Sequence, residues 1–318
     1  MKYILVVIDG AEASDYYECT NINYIKELGE TKYINNTPEG FETNSLTCIL
    51  NILGVSDNKI PKGRAFLEAL SLDEYIEDND LIFRCNNVRI KNNILIECCN
   101  NDKDIVLKEE SFKLINLGTY KNLLIVKDGK RYFEDIITYA PHENLGEDIN
   151  NILPICKDKK LEEYLRKLIF KYKLYPWAQS VKESLPSFYE LHNKNGAIVC
   201  KTEVVSGIGK AMKMYVPKLK NATAEIDTDL KEKAIKTLEL SKKYDFVMLH
   251  INGADESAHR KNREEKVKFI KKIDTEVVGY LLSNMDKNTI LTITSDHATC
   301  SDSGKHKNIS IPRYTLKK

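Results

Sequence analysis

The sequence predicts an α/β protein: a doubly wound, mostly parallel sheet as the core, with a smaller inserted α+β domain. Residues 3–8 form an apolar run without alternation, which is typical of a strand buried on both faces of a parallel sheet. Similar runs lie at 245–251 and 289–294, with a helical apolar pattern between them. Strand, helix and strand therefore alternate, as in a doubly wound core.

The remaining core elements follow the same pattern. The first strand stops at Asp9-Gly10, and residues 196–200 followed by 204–212 predict a strand leading into a helix. Further helices are predicted at about 230–240 and within 263–282. The second of these carries apolar residues at helical spacing, namely Val267, Ile270, Ile273, Val277 and Leu281.

The middle of the chain differs from both ends. Short strand-like runs at 81–83, 94–97 and 122–126 are separated by turn signals such as Asp128-Gly129. An amphipathic helix is predicted at 161–174. We therefore predict a discontinuous core at 1–71 and 186–318, and an inserted domain at 72–185.

Composition excludes several classes of function. The 48 Lys and Arg residues balance 47 Asp and Glu residues, which argues against the basic surface that nucleic-acid binding requires. No segment approaches the roughly 20 apolar residues of a membrane span. The first strand also lacks a cleavage site for secretion. We expect a cytoplasmic protein with reduced cysteines and no membrane partner.

Polar residues that end the apolar runs are the candidate ligands, because open parallel sheets bind ligands at the carboxyl ends of their strands. Those residues are Asp9, Asp255, His259, Asp296, His297 and His306. Mixed carboxylate and imidazole donors suit Mn²⁺ or Zn²⁺ better than Ca²⁺. Two divalent ions, as in phosphoryl-transfer sites, are our working hypothesis.

A nucleophile is predicted near the start of an apolar helix that ends at Gly54. A hydroxyl group at a helix N-terminus lies at the positive end of the helix dipole, which favours an incoming phosphoryl group. Ser45 is the first candidate. Thr43, Thr47 and Cys48 remain alternatives, and ordinary helix capping would also explain this segment.

Ten segments in order carry a resemblance to a known family. They are ILVVIDG (4–10), NSLTCILNILG (44–54), KGRAFLEA (62–69), DLIFRCN (80–86), APHENLG (140–146), LPSF (185–188), GAIV with VVSGIGKAM (196–212), NATAEIDT (221–228), YDFVMLHINGADESAH (244–259) and SDHAT (295–299). The sequence resembles the archaeal-type cofactor-independent phosphoglycerate mutases of the alkaline phosphatase superfamily over nearly its whole length.

The resemblance implies a two-metal phosphoserine enzyme on an alkaline-phosphatase type of core. Its ligand set maps onto Asp9, Ser45, Asp296 and His297 for one ion, and onto Asp255, His259 and His306 for the other. Ser45 would be phosphorylated transiently while 3-phosphoglycerate and 2-phosphoglycerate interconvert, an isomerase reaction of glycolysis. Manganese is the expected metal, with zinc or magnesium as alternatives, and no bisphosphoglycerate cofactor is needed.

The resemblance also assigns substrate recognition to the insert. Arg64 and Arg84, which lie in matched segments, would bind the small phosphorylated substrate, and the inserted domain would cover it. The residue after the nucleophile is commonly Asp in the family and is Leu46 here. A metal-dependent phosphatase or phosphonate-type hydrolase of a small phosphorylated metabolite is therefore the alternative. A relative that binds such a metabolite without turnover is a third hypothesis.

Overall fold

The computed structural model describes residues 1–101, 111–117 and 119–318, and all bounds refer to these residues. The strands are β1 (Lys2–Ile8), β2 (Glu30–Ile34), β3 (Leu81–Asn87), β4 (Arg89–Lys91), β5 (Ile94–Glu97), β6 (Phe112–Asn116), β7 (Lys121–Val126), β8 (Ile136–Ile137), β9 (Ile155–Cys156), β10 (Leu174–Val181), β11 (Gly196–Val199), β12 (Phe246–Ile251), β13 (Thr289–Thr294), β14 (Ala298–Thr299), β15 (His306–Lys307) and β16 (Ile311–Lys317).

The α-helices are α1 (Thr20–Leu28), α2 (Ser45–Ile52), α3 (Ala65–Ser71), α4 (Lys159–Lys167), α5 (Phe188–His192), α6 (Glu203–Ala211), α7 (Leu230–Ser241), α8 (Gly253–His259), α9 (Arg263–Ile273) and α10 (Tyr280–Asn284). Two π-helical turns, Leu168–Tyr172 and Asp274–Gly279, extend α4 and α9. Across the described ranges, no helix has both the length and the apolar character that a bilayer crossing requires.

The chain divides into two compact units, one made of residues 1–60 and 185–318, the other of residues 61–184. The sequence placed residues 61–71 with the core, whereas the structure places them in the second unit. The reason is packing: α3 contacts β3 and β10. The backbone N–H of Phe66 also donates to Ser180 Oγ at 2.7 Å, next to the end of β10.

The first unit is built on a six-stranded sheet of order β11-β12-β1-β13-β16-β2. Strand β1 runs parallel to β12 and β13, whereas β16 is antiparallel to β13 and to β2. Alternate residues of β1, Ile4, Val6 and Ile8, pack in one core with side chains of α1, α7 and α9. Leu5 lies on the other face, beside Ile52 of α2. The predicted mostly parallel α/β core is therefore confirmed.

A long-range contact fixes the first helix of this unit. The Asp274 carboxylate accepts hydrogen bonds from the backbone N–H groups of Ile22 at 2.7 Å and Asn21 at 3.1 Å. Because the first turn of a helix leaves N–H groups without intrahelical partners, this carboxylate caps α1. Asp274 also opens the π-helical turn, so the predicted helix of 263–282 is not one regular α-helix.

The second unit contains an antiparallel sheet of order β10-β3-β7-β6. Leu161, Leu165 and Leu168 pack with buried residues of β3 and β7, so the predicted α+β insert is confirmed. The predicted helix of 161–174 ends early: Lys173 has a φ of 57°, and Leu174 already begins β10. This left-handed residue terminates the helix and turns the chain into the strand.

Candidate metal centre

Two parallel strands bring the first two carboxylates together. Asp9 directly follows β1, and Asp255 lies in α8, which follows β12. Ile8 pairs with Ile251 at the ends of these strands. Gly10 between them has a φ of +73°, and a Cβ atom there would lie 2.7 Å from Asp255 Oδ1 and 2.9 Å from its Cα. Only glycine tolerates both the conformation and the close approach.

The first group of possible ligands consists of Asp9, His250 and Asp296, with one donor atom of each lying within 4.8 Å of the others. All three side chains are buried. Both Asp9 carboxylate oxygens, both His250 ring nitrogens and Asp296 Oδ2 lack hydrogen-bond partners. His250 Nε2 approaches Asp9 Oδ2 to 3.1 Å but without hydrogen-bond geometry.

Such a concentration of unsatisfied buried polar atoms is costly, because each loses its hydration without compensation. Burial, followed by repulsion from Asp296 and Asp255, raises the pKa of Asp9 well above its usual range. Burial also lowers the pKa of His250 to about 4, so its imidazole is neutral at pH 7 and has a lone pair available. A divalent cation would satisfy these carboxylates and the imidazole together, so the donor set fits such an ion.

The second group consists of Asp255, His297 and His306, again with donor atoms within 4.8 Å of one another. His259 joins them: its Nε2 lies 3.1 Å from Asp255 Oδ2 and 3.1 Å from His306 Nε2. The i,i+4 pair Asp255 and His259 lies on α8, so the helical turn expected from the spacing is present.

Backbone carbonyls orient two of these imidazoles. His259 Nδ1 lies 2.8 Å from the Gly304 carbonyl oxygen, and His306 Nδ1 lies 2.8 Å from the Thr43 carbonyl oxygen. A carbonyl oxygen can only accept, so each Nδ1 carries the proton and donates it. In the absence of a metal the hydrogen bond to Asp255 raises the pKa of His259 to about 9, so His259 Nε2 also carries a proton and donates it to that carboxylate. A bound cation would replace this proton, and both Nε2 atoms could then act as ligands, with each Nδ1 fixed by a carbonyl as is typical of metal-binding histidines.

His297 lies between the two groups. Its Nε2 is 3.6 Å from Asp9 Oδ1 and 3.4 Å from Asp296 Oδ2. The Thr299 hydroxyl donates to Asp255, and Thr299 Oγ1 is also 3.3 Å from His297 Nδ1. Because its only proton is committed to Asp255, the Thr299 oxygen accepts from His297 Nδ1–H. His297 Nε2 is thereby left with a lone pair.

The structure distinguishes among the four candidate nucleophiles. Ser45, the first residue of α2, places Oγ 3.3 Å from His297 Nε2. Thr47 donates its hydroxyl to the Glu42 carbonyl at 2.8 Å, the Thr43 hydroxyl contacts Thr37 at 3.0 Å, and Cys48 is fully buried. Asn44, not Ser45, caps the helix, because its side chain accepts from the Thr47 N–H at 3.1 Å.

The structure adds His250 and Thr299 to the residues found from the sequence. His250 is the one polar residue in the otherwise apolar β12 and pairs in register with Val7 of β1. The available signal was a single histidine within a buried apolar strand, one position before the last residue of that strand. Thr299 carried none, since threonine is ordinary in a strand.

The two predicted substrate-binding arginines lie together in the second unit. Glu68 accepts from both: its Oε1 is 3.1 Å from Arg64 Nε, and its Oε2 is 3.0 Å from Arg84 Nε. The Arg84 side chain is 8% exposed and stacks on Trp177, whereas that of Arg64 is 38% exposed. Arg84 is thus fixed by Glu68 and Trp177, and Arg64 is the more accessible of the two.

Comparisons with known proteins agree with this architecture. Residues 1–318 match the model of the metalloenzyme superfamily. A 2,3-bisphosphoglycerate-independent phosphoglycerate mutase of Methanothrix thermoacetophila is 25% identical, over 92% of this chain and 82% of the relative. Its counterpart from Methanococcus aeolicus is 28% identical, over 98% of this chain and 88% of the relative. These relatives confirm the resemblance found in the motifs.

Two solved structures share the fold. A protein from Pyrococcus horikoshii superimposes with a TM-score of 0.78 at 22% identity, covering 99% of this chain and 87% of its own. The cofactor-independent phosphoglycerate mutase of Thermoplasma acidophilum gives a TM-score of 0.60 at 19% identity, covering 100% and 90%. With a family model matched from its first residue to its last, this chain belongs to the metalloenzyme superfamily.

Proposed function

We propose that this protein is a cofactor-independent phosphoglycerate mutase that interconverts 3-phosphoglycerate and 2-phosphoglycerate through phosphorylated Ser45. The observation that carries the proposal is the 3.3 Å approach of Ser45 Oγ to His297 Nε2, between two groups of carboxylates and histidines. Relatives that this chain matches over most of their length bear the name of this activity. A glycolytic phosphoester as substrate also implies a cytoplasmic reaction.

The proposed ligands of two divalent ions, with Mn²⁺ as the first candidate, form two sets. They are Asp9, Ser45, Asp296 and His297 for one ion, and Asp255, His259 and His306 for the other. His250 supplements the first set, because its neutral imidazole faces Asp9. When bound, such ions neutralise charge on phosphoryl oxygens and lower the pKa of a serine hydroxyl.

Ser45 is the group that reacts in this proposal. A bond forms between Ser45 Oγ and phosphorus while the bond from phosphorus to the glycerate oxygen breaks, and that oxygen gains the proton that Ser45 loses. The reverse step transfers the phosphoryl group to the other glycerate hydroxyl and returns a proton to Ser45. No water is consumed, so the net reaction is an isomerisation.

The start of α2 supports this step. Ser45 and Leu46 are its first two residues, so their backbone N–H groups have no acceptor within the helix. They can donate to phosphoryl oxygens, and the positive end of the helix dipole favours the same charge. The Asn44 side chain accepts a hydrogen bond from the Thr47 N–H and so fixes this first turn of the helix.

Arg64 is the proposed contact for the substrate anion, because its side chain is the more exposed of the two arginines. Arg84 would act through Glu68, which holds both guanidinium groups. A buried carboxylate shared by two arginines orients both guanidinium groups.

Leu46 favours the alternative of a phosphatase. Its buried apolar side chain follows Ser45 directly and offers no proton to the substrate hydroxyls. One assay separates the two functions: 3-phosphoglycerate is supplied with Mn²⁺, and 2-phosphoglycerate and free phosphate are followed in the same tube. The mutase yields 2-phosphoglycerate without phosphate. Release of phosphate alone would make the protein a hydrolase, and Ser45→Ala serves as the inactive control.

A further inference from the structure

Two adjacent cysteines in the second unit bring their sulfur atoms together. Cys98 and Cys99 follow β5, and their Sγ atoms are 3.4 Å apart. Successive side chains of an extended strand point to opposite faces, but the chain bends at Cys98 and places both thiols on one side. Cys98 is buried, whereas Cys99 is partly exposed and can be reached from solvent.

The surroundings of the pair favour ionisation of Cys99. A hydrogen bond from the Cys98 thiol, together with Tyr120 and the positive charge of Lys121, lowers the pKa of Cys99 to about 6 despite partial burial. The same hydrogen bond raises the pKa of Cys98. The lowered pKa gives Cys99 more thiolate at pH 7 than an ordinary cysteine, which is only about a few per cent ionised. The pair thus combines a nucleophile with a neighbouring thiol.

We propose that Cys98 and Cys99 form a modification site at which hydrogen peroxide produces a reversible vicinal disulfide. The Cys99 thiolate attacks a peroxide oxygen, the O–O bond breaks, and the leaving hydroxide takes a solvent proton to become water. Cys99 is then a sulfenic acid. Cys98 attacks its sulfur, the S–S bond forms, and the hydroxyl leaves as a second water with the Cys98 proton. The two thiols lose two electrons, which the peroxide gains.

The resulting bond would be strained and therefore easily reduced. Adjacent Cα atoms are about 3.8 Å apart across a trans peptide, which is closer than the 4.4 to 6.8 Å usual for disulfides. Closing the ring must therefore distort the peptide between the two cysteines. That peptide includes the Cys98 carbonyl, which accepts a hydrogen bond from Asn86 Nδ2 at 3.0 Å.

This hydrogen bond connects the cysteine pair to Arg84. Asn86 Oδ1 accepts from Trp177 Nε1 at 2.9 Å, and the Arg84 guanidinium stacks on the Trp177 ring at 4.5 Å. Distortion at Cys98 is therefore transmitted to the side chains that fix Arg84. Trp177 is the only tryptophan of the chain, so its fluorescence reports this change directly. An effect on phosphoglycerate binding would rest on the proposed function, but the oxidation and the fluorescence do not.

The experiment treats the full-length protein with hydrogen peroxide, blocks the remaining thiols with iodoacetamide and maps the peptides by mass. We expect the peptide that contains Cys98 and Cys99 to be two hydrogen masses lighter than the reduced peptide and to carry no iodoacetamide label. Dithiothreitol should restore both thiols, which iodoacetamide then labels. Trp177 emission should shift with the same time course. Cys300, which is also partly exposed, provides a comparison within the same sample. Its thiol should remain available to iodoacetamide after longer exposure to hydrogen peroxide than the Cys99 thiol does.

Two conservative variants test the chemistry. In Cys98→Ser, oxidation should stop at a Cys99 sulfenic acid that dimedone labels, without the shift in Trp177 emission. In Cys99→Ser, the rapid reaction should disappear. Absence of the dimedone adduct, or oxidation of Cys99 no faster than of Cys300, would overturn the proposal. A vicinal disulfide that forms without any change in Trp177 emission would overturn the connection to Arg84. None of these results depends on mutase activity, so failure of the proposed function is detected separately.

Discussion

His297 Nε2 lies 3.3 Å from Ser45 Oγ, although 252 positions separate these residues along the chain. The contact joins the start of α2 to the segment that follows β13. The residue pattern left four candidate nucleophiles open, and this distance is the support for proposing Ser45 among them. The proton on His297 Nδ1 is held by Thr299, so the lone pair on Nε2 faces the serine hydroxyl.

Replacing Ser45 by Ala should abolish turnover, by about 10⁴-fold or more as for other lost nucleophiles. Metal retention should persist in part, because the seven proposed carboxylate and histidine ligands are unchanged. Turnover of 3-phosphoglycerate and elemental analysis measure the two effects. Cys48→Ala is the matched control on the same helix and should stay active. A fully active Ser45→Ala would show that another residue is the nucleophile.

Replacing His250 by Gln should weaken metal binding by roughly 10- to 100-fold, the effect usual for residues that contact a ligand of a metal. The physical reason is that the buried imidazole faces the buried carboxylate of Asp9, a proposed metal ligand. Titration with Mn²⁺ followed by calorimetry measures the affinity. His142→Gln is the control, since this half-exposed histidine lies in the other unit. Equal loss in both variants would contradict a role for His250.

Replacing Gly10 by Ala should destabilise the protein by roughly 3 kcal/mol or more and weaken metal binding, because the new Cβ would collide with Asp255. The variant Gly40→Ala is the control that separates the cost of the steric collision from the cost of backbone strain. Gly40 has a similar φ of +81° but open space around it, so its replacement should cost only about 1 kcal/mol. Chemical denaturation of both variants measures the difference. Similar costs would mean that the close approach is unimportant.

Lys233 gives a pH-dependent contribution to stability. Burial lowers the pKa of this lysine from 10.5 to about 8. Between these two pH values the unfolded chain binds more protons than the folded one, so rising pH stabilises the fold through this group. The wild-type protein should therefore gain roughly 3 kcal/mol relative to Lys233→Met between pH 8 and pH 10.5.

Comparison with the variant is essential because buried cysteines act in the opposite direction. Burial raises the pKa of Cys85 and Cys200, so these thiols favour unfolding as the pH rises through the usual cysteine range. The contribution of Cys85 cancels when Lys233→Met and the wild-type protein are unfolded in the same buffers. Cys200 interacts electrostatically with Lys233, so it is replaced by Ala in both proteins for this comparison. A difference in unfolding free energy that stays constant from pH 8 to pH 10.5 would contradict the depressed lysine pKa.

Sequence patterns predicted the parallel part of the core well, because strands buried on both faces form long apolar runs. β1, β12 and β13 all have this character. Strands β2 and β16 escaped prediction since β2 is exposed and β16 mixes buried and half-buried residues. Strand β10 was hidden for a different reason: its sequence directly continues an amphipathic helix, and only the backbone of Lys173 separates them.

The candidate site shows the same division. Residues at strand ends, such as Asp9 and Asp296, could be selected because topology alone brings strand ends together. His250 was missed although a lone histidine in an apolar strand was a signal, since its position beside Asp9 comes from the lateral pairing of β12 with β1. Likewise, the ring orientations of His259 and His306 depend on carbonyl groups of Gly304 and Thr43, and backbone contacts of this kind leave no pattern in a sequence.

The position of β1 between β12 and β13 has a consequence for the order in which the chain folds during synthesis. Strand β1 leaves the ribosome before both of its neighbours and obtains the second one only when residue 294 has been made, on the order of half a minute later. Residues 61–184, by contrast, form a compact unit from one continuous stretch. That unit can fold while the nascent chain is still growing, whereas β1 must wait for strands that are made more than 200 residues later.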